Sequence, residues 1–413
     1  MSDTSRLQAS EIWRERRSDS RAVTADEHNP GNALLARVRA YALEIAARAA
    51  EAETARTMPR DLVDSLRKAG VFGMVVPKHV GGPGIDFATT LRVIEELAAA
   101  DGSAGWIAMI GCNGPYWYSH LPKERFEAIY ANGPDVIGGG STRNGGVAEI
   151  GDGGFLVNGK WGFTSGCLHA DWLYCFAIVT LAGTPVPSRF PGVPRIRVVV
   201  LPAHEFTVIE NWDSVGLRGT GSHDITLKDK FVREDQSFDM QMDGELALGP
   251  ANVLAHYHMA AVSLGIAQGA FNDVVALACG GKARAYATSG IADSVLFQKT
   301  LGEVEADIMA ARAMLYECSQ DALERFEEWR PGDASFITRA LQAIMWVTAT
   351  SVRVVDACYT AGGGSSLLSA SPLQRRLRDI HAVTQHWSVQ NRGYVAAGNY
   401  ALGKPVNPFS VIV

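Results

Sequence analysis

Asn158-Gly159-Lys160-Trp161-Gly162-Phe163-Thr164-Ser165-Gly166 is the stretch on which the reading of this chain turns. A tight-turn dipeptide leads into an alternating aromatic and small-residue run, which ends on two hydroxyls and a glycine, the pattern of a strand entering a turn. Around it, short β-branched and aromatic runs at 155–157, 174–180, 197–201 and 223–227 alternate with glycine, Asn-Gly and proline breaks. This middle segment is therefore expected to be a small antiparallel β-domain, with Asn158-Gly159 as a turn between two strands.

On both sides the texture is helical. Apolar residues recur at helical spacing over 32–57, over 61–69 with Gly70 as C-cap, and over 87–100, after which Asp101-Gly102-Ser103 leads into the apolar run 104–110. Beyond Leu246, long periodic segments at 251–278, 300–329, 335–359 and 372–401 predict a bundle, with Gly362-Gly363-Gly364 separating the third from the fourth. The expected fold is α+β, mainly α. It comprises a flexible tail over 1–30, an α-domain over 31–133, a central antiparallel β-domain over 134–245 and a C-terminal four-helix bundle over 246–413.

A chain of 413 residues, 47% hydrophobic and 20% charged, can bury a large core and still shape a ligand cavity. Its net charge of −6 gives nucleic acid or an anionic membrane no electrostatic hold, and the basic clusters at 14–17 and 375–378 are short. Cys112, Cys167, Cys175, Cys279, Cys318 and Cys358 lie far apart, without Cys-x-x-Cys or Cys/His spacing. Reduced thiols, no metal centre and a cytoplasmic location are expected. The N-terminal residues lack the apolar segment of a signal peptide, and no stretch reaches the roughly 18 uninterrupted apolar residues of a membrane span.

Three motifs together make the chain resemble the acyl-CoA dehydrogenase fold from residue 32 onward. Ala100-Asp101-Gly102-Ser103-Ala104-Gly105-Trp106 resembles the segment after that family's third N-terminal helix, and Asn158 to Gly166 its flavin-contacting strand and turn. Gly362-Gly363-Gly364 and the run from Leu373 to Asp379 resemble the last inter-helix loop of its bundle and the helix that follows. The departures matter more. Gly139-Gly140-Ser141-Thr142-Arg143-Asn144 stands where the dehydrogenases carry a Ser-Glu-Pro-type segment, and their Arg-Phe-Gly adenosine anchor is missing around 284–289. Counting nine residues from Arg378, to where a dehydrogenase has its catalytic glutamate, lands on Trp387.

Arg378-Asp379-Ile380-His381-Ala382-Val383-Thr384-Gln385-His386 instead resembles the oxygenase branch of this fold, the two-component flavin-dependent monooxygenases. The resemblance implies FADH2 or FMNH2 delivered by a separate NAD(P)H-dependent flavin reductase, with O2 as co-substrate. It further implies a flavin hydroperoxide that hydroxylates a small aromatic or heteroaromatic substrate of phenol or indole type, and a homotetramer. Two other functions compete with it. One is an acyl-CoA dehydrogenase or oxidase whose base is displaced onto Glu303 or Glu317; the other is a flavin-free scaffold of the same fold.

Site residues follow from the same resemblance. Trp161, Phe163, Thr164, Ser165, Gly166, Gly363 and Arg378 become flavin contacts. A hydroxyl of Thr164 or Ser165, with Ser165 preferred, would meet flavin N5 and could serve both redox states of the ring, although either could equally be a solvated turn group. Gly166 would let backbone approach the ring. His386 becomes the general acid or base, since an ordinary histidine pKa of about 6.5 suits proton transfer. On one continuous helix His381 and His386 stand about 140° apart, so only one of them faces inward. Asn113, where this branch often has a histidine, would orient substrate or peroxide, or cap a loop. Trp106, Asn113, Trp117 and His386 line the expected substrate pocket, with Tyr116 nearby. Arg378, together with Arg375 and Arg376, either reaches the flavin phosphate or pairs with a neighbouring acid. His169, His223, His256 and His258 show no ligand-like partners.

Overall fold

A computed structural model describes residues 29–188, 192–240, 250–281, 290–327 and 333–406; the clusters at 14–17 and 284–289 lie outside them. Helices α1 (Pro30–Ala47), α2 (Ala49–Ala55), α3 (Arg60–Ala69), α4 (Phe87–Ala100), α5 (Gly102–Cys112), α6 (Gly114–Tyr118) and α7 (Lys123–Ile129) precede the sheet. Their ends follow capping chemistry. The Asp86 carboxylate accepts from Thr89 N at 2.8 Å to open α4, and Asp101 accepts from Ala104 N at 3.1 Å to open α5. Asp101 is extended (φ −152°, ψ 133°), so α5 leaves α4 at a corner and not as a continuation. The single helix expected over 32–57 is interrupted at Arg48 (φ −102°, ψ 9°), whose guanidinium bridges Glu51 and Asp61.

The sheet holds β1 (Gly138–Gly151), β2 (Gly154–Thr164), β3 (Trp172–Leu181), β4 (Thr184–Pro185), β5 (Ile196–Pro202), β6 (Thr207–Ile209), β7 (His223–Arg233) and β8 (Ser237–Asp239). Its order is β6-β7-β2-β1-β3-β5-β8, with β4 paired to β3; β1 and β3 run parallel and the other pairs antiparallel. Asn158-Gly159 is not a turn. It lies inside β2 opposite Val147 and Gly146, at a register irregularity against β7, and the Asn158 side chain accepts from Asp229 N at 2.7 Å. Gly159 serves close approach there, because an added Cβ would stand 2.5 Å from Gly146 Cα. The reversal falls instead between Gly151 and Gly154, with Gly153 left-handed at φ 71°.

Helices α8 (Pro250–Cys279), α9 (Val295–Glu327), α10 (Ala334–Gly362), α11 (Pro372–Val383) and α12 (Arg392–Ala401) follow. Val253–Cys279 is long and apolar enough to cross a membrane, but 67% of its most apolar window is buried inside the fold, as befits the central helix of a bundle. It packs tightly on α4 through Gly265, where a Cβ would meet Glu95 O at 2.5 Å. The last helix expected over 372–401 is broken. It stops at Val383, makes one 3-10 turn at Trp387–Val389 and resumes at Arg392.

A buried contact ties the loop between β6 and β7 to the bundle. Leu217 N donates to Asp379 Oδ1 at 2.6 Å, and Gly216 lies so close to α11 that a Cβ would stand 2.1 Å from Arg378 O. Gly216→Ala should therefore destabilise the protein by about 1–3 kcal/mol, as overpacking does. Urea unfolding measures this, and an unchanged midpoint would show that the contact is loose.

Candidate active site

Three segments remote in sequence converge at the turn that ends β2. Gly166 takes the chain through the left-handed region (φ 69°) and its N–H donates to Thr220 O at 2.9 Å, which fixes the preceding Ser165. From α5, Trp106 Nε1 donates to Ser165 Oγ at 3.0 Å. The same indole meets the His386 imidazole edge-on, with centroids 5.9 Å apart. Behind Ser165 lies a run of hydroxyls that the sequence did not announce: Ser165 Oγ is 2.7 Å from Ser222 Oγ, itself 2.7 Å from Thr220 Oγ1.

His386 reaches the cluster because α11 has ended. It caps the 3-10 turn, and its Nδ1 accepts from Ser388 N at 3.3 Å with Ser388 Oγ 2.8 Å away. A backbone N–H can only donate, so the neutral ring carries its proton on Nε2. Burial, and then the nearby His256, push its pKa down to about 3. The imidazole is thus neutral at ordinary pH and presents an N–H, a donor. His381 faces outward, its Nε2 3.0 Å from Asp356 Oδ1. Trp387 follows, stacked perpendicular to His256 at 5.1 Å, with Nε1 buried and unpartnered among the described residues.

Asn113 does sit beside a histidine, supplied from α8 and not from its own helix. His258 Nδ1 donates to Asn113 Oδ1 at 2.7 Å, and its Nε2 lies 2.9 Å from Thr90 Oγ1. Burial pushes His258 down to about 3, so it too is neutral.

Two family models match the chain. "Acyl-CoA dehydrogenase, N-terminal domain" matches residues 31–118 and "Acyl-CoA dehydrogenase, C-terminal domain" residues 257–391. An indole-3-acetate monooxygenase of Pseudomonas putida is 31% identical over 366 residues, covering 88% of this chain and 92% of that protein. The oxygenase component of an FADH2-dependent resorcinol hydroxylase from Rhizobium is 29% identical, covering 90% and 94%. The crystal structure of a 3-HSA hydroxylase from Rhodococcus superposes with a TM-score of 0.82 at 26% identity, covering 91% and 98%.

The chain belongs to the flavin-dependent monooxygenases of the acyl-CoA dehydrogenase fold. It is an oxygenase component, using reduced flavin and O2, and a separate reductase supplies the flavin.

Within this monooxygenase the other expected residues divide. Trp161 is fully buried in the core of the sheet, its Nε1 donating to Phe176 O at 2.6 Å, and Thr164 is equally buried with its hydroxyl on Trp161 O at 3.4 Å. Neither opens onto the cluster, so Ser165 is the hydroxyl that does. Phe163 faces the other way, 60% exposed in a left-handed backbone (φ 60°), with the Arg143 guanidinium 5.2 Å from its centroid. Trp117 stacks on Tyr174 at 5.0 Å and Tyr116 is buried near His258, so neither joins Trp106 and His386. Gly363 (φ 61°) is at the end of α10, where an added Cβ would meet open space among the described residues.

Arg378 is committed as an ion pair with Glu53, and it donates to Val215 O at 2.7 Å and Gln374 Oε1 at 2.8 Å; Arg375 holds the same glutamate. That is the ion-pair arrangement expected as the alternative to a flavin-phosphate contact. The displaced-base dehydrogenase fails. Glu303 is exposed on α9 and paired with Lys299, and Glu317 is exposed on the same helix. A cleft of about 370 Å³ lined by Leu34, Arg37, Ile85 and Asp135 shares no residue with the cluster. Among the described residues no group of three or more His, Cys, Asp or Glu is placed to hold a metal.

Buried neutral histidines make stability depend on pH. His258 and His386 titrate at about 3 and His120 at about 4 in the fold, against about 6.5 when unfolded. Below pH ~6.5 the unfolded chain binds protons that these folded histidines refuse, so their contribution to stability rises with pH from about 4 to 6.5 and levels off above. His258→Gln should lower the slope of unfolding free energy against pH in that window by about 1.4 kcal/mol per unit. An unaltered slope in urea titrations from pH 4 to 6.5 would mean that His258 is protonated in the fold.

Proposed function

We propose that Ser165, Trp106 and His386 form the catalytic centre of an oxygenase component that hydroxylates a small aromatic substrate of phenol or indole type. The observation that carries this reading is the convergence of the three on one indole, through a 3.0 Å hydrogen bond on one hand and an edge contact at 5.9 Å on the other. The donor set fits a flavin. Ser165 offers a hydroxyl and Trp387 a buried N–H with no partner among the described residues. A bulky residue held in the left-handed region, as Phe163 is, marks a place where strain is retained for use.

Reduced flavin, when bound, supplies the activation of O2 and the transfer of one oxygen atom. The chain's own residues bind, orient and exclude water. Ser165 would meet the ring nitrogen N5. Trp106 fixes Ser165 and His386 relative to each other and covers the site with apolar surface. His386, neutral and protonated on Nε2, would offer its N–H as a hydrogen-bond donor to a substrate oxygen, in place of general acid or base work. Asn113 holds α5 to α8 through His258, which keeps Trp106 in place from two turns away.

The substrate class rests on the indole and resorcinol activities named for the relatives and on the aromatic walls of the cluster. The reducing partner is an NAD(P)H-dependent flavin reductase. Leu367 and Leu368 beyond the end of α10, and Val395 and Leu402 at α12, are exposed apolar side chains open to the contacts of a homotetramer, which this reading includes. The six free cysteines fit a cytoplasmic location.

His386→Ala should keep reduced-flavin binding but lower the fraction of consumed O2 recovered as hydroxylated product by about tenfold, the equivalent of one lost hydrogen bond of ~1.4 kcal/mol. The measurement is oxygen uptake with chemically reduced FAD or FMN over a panel of phenols and indoles, with product read by mass. Wild-type coupling in the variant would remove His386 from the chemistry; no product from any member of the panel would remove the substrate class.

A further inference from the structure

We propose that the hydroxyl relay Thr220–Ser222–Ser165 is polarised so that Ser165 can only accept a hydrogen bond from a flavin, and that this selects reduced over oxidised flavin. The inference rests on the reading that Ser165 meets flavin N5, and extends it to the redox state the site prefers.

The polarity follows from counting hydrogens. Four oxygens stand in line at hydrogen-bond distance: Leu217 O to Thr220 Oγ1 at 2.7 Å, Thr220 Oγ1 to Ser222 Oγ at 2.7 Å, and Ser222 Oγ to Ser165 Oγ at 2.7 Å. Each of these three contacts needs one hydrogen between its oxygens, and the three hydroxyls bring one each. Leu217 O is a carbonyl and has none, so Thr220 must donate to it. The Thr220 hydrogen being used, Ser222 must donate to Thr220. By the same step Ser165 must donate to Ser222. At its far side Ser165 Oγ already accepts from Trp106 Nε1 at 3.0 Å. One lone pair is left on Ser165, and no hydrogen.

The two flavin states differ at the atom this oxygen would meet. Reduced flavin carries N5–H, a donor; oxidised flavin has a bare N5 lone pair, an acceptor. The remaining lone pair of Ser165 takes a hydrogen bond from the first and opposes the second. Reversing the relay is costly, because Ser165, Ser222 and Thr220 are 6%, 5% and 1% exposed and water cannot readily supply the missing partners. Its anchor is fixed too. The Leu217 peptide is held on the N–H side by Asp379 at 2.6 Å, and on the carbonyl side by Thr220 and by Trp212 Nε1 at 3.3 Å. The expectation that this hydroxyl serves both redox states is thereby replaced by a preference for one.

Equilibrium binding of oxidised flavin and, anaerobically, of reduced flavin to the full chain tests this without turnover. The wild type should bind the reduced form at least tenfold more tightly. Ser222→Ala frees the Ser165 hydrogen to donate to oxidised N5, so the ratio of the two Kd values should fall about tenfold. That corresponds to a midpoint potential about 30 mV lower for the bound flavin. Thr220→Val should move the ratio the same way and Thr220→Ser should restore it, a pair that carries the test if Ser222→Ala fails to fold. An unchanged ratio in Ser222→Ala and Thr220→Val, with Ser165→Ala still weakening flavin binding, overturns the relay and leaves the site reading standing. Unchanged affinity for both forms in Ser165→Ala overturns the reading that Ser165 meets the flavin, and the relay with it.

Discussion

The hydrogen bond from Leu217 N to Asp379 Oδ1, 2.6 Å long and fully enclosed, is where the sheet, the N-terminal helices and the bundle are joined. Asp379 belongs to α11, Leu217 to the loop between β6 and β7, and Gly102 at the start of α5 packs so near that a Cβ would stand 2.9 Å from Asp379 Oδ2. Burial holds the Asp379 pKa well above the ordinary carboxylate range, and the neighbouring carboxylate of Asp101 adds to it. Arg376 answers part of that charge while donating to the carbonyls of Ala98, Ala99 and Ala100 at the end of α4. Each component of the candidate site starts from this junction. Trp106 stands on the helix that Asp101 caps, Ser165 is reached through Leu217 and the hydroxyl relay, and His386 lies just past the end of the helix that carries Asp379.

The chain departs from the dehydrogenase pattern at one end of α11. In place of a glutamate, Trp387 brings a large apolar ring and a single donor. A carboxylate near the flavin would offer a base and a negative charge; an indole offers neither, and the site loses the means to take a proton from carbon. The break after Val383 has a comparable effect on His386. In a continuous helix its orientation would be set by the 3.6-residue period, whereas here its own Nδ1 closes the next turn and fixes which nitrogen keeps the proton. Backbone irregularity and tautomer are one feature seen at two scales.

Much of the fold was legible because its signals are local. The cap Asp86 and the apolar period set α4 over Phe87–Ala100, as expected, and the run 174–180 lies within β3. Asn158-Gly159 misled because the dipeptide that favours a tight hairpin also suits a bulge, and what decides between them is Gly146 and the Trp161 ring across the pair. Within the flavin stretch, regular alternation would put Trp161 and Phe163 on one face, but the irregularity between Trp161 and Thr164, with Phe163 left-handed, turns Phe163 outward, buries the next hydroxyl and leaves Ser165 at the cluster. Asn113 and His258, 145 residues apart, carry no mutual signal in one sequence, nor do Ser165 and Ser222, 57 apart. Such pairs exist only once the chain has closed.

The polarities of these groups fit one another. His386 presents an N–H because its other nitrogen is occupied, Trp387 presents an N–H that nothing within the described chain accepts, and Ser165 presents a lone pair because its hydrogen is bound behind it. In the proposed site the two N–H groups would serve an oxygen gaining negative charge, and the lone pair would serve the hydrogen of a reduced ring. None of the three depends on a group that titrates near neutral pH: imidazole, indole and hydroxyl keep their character across the physiological range. With the acid–base equipment of a dehydrogenase absent, the specificity of this site lies in the direction of its hydrogen bonds, and that direction is held by backbone carbonyls and amides that cannot reverse.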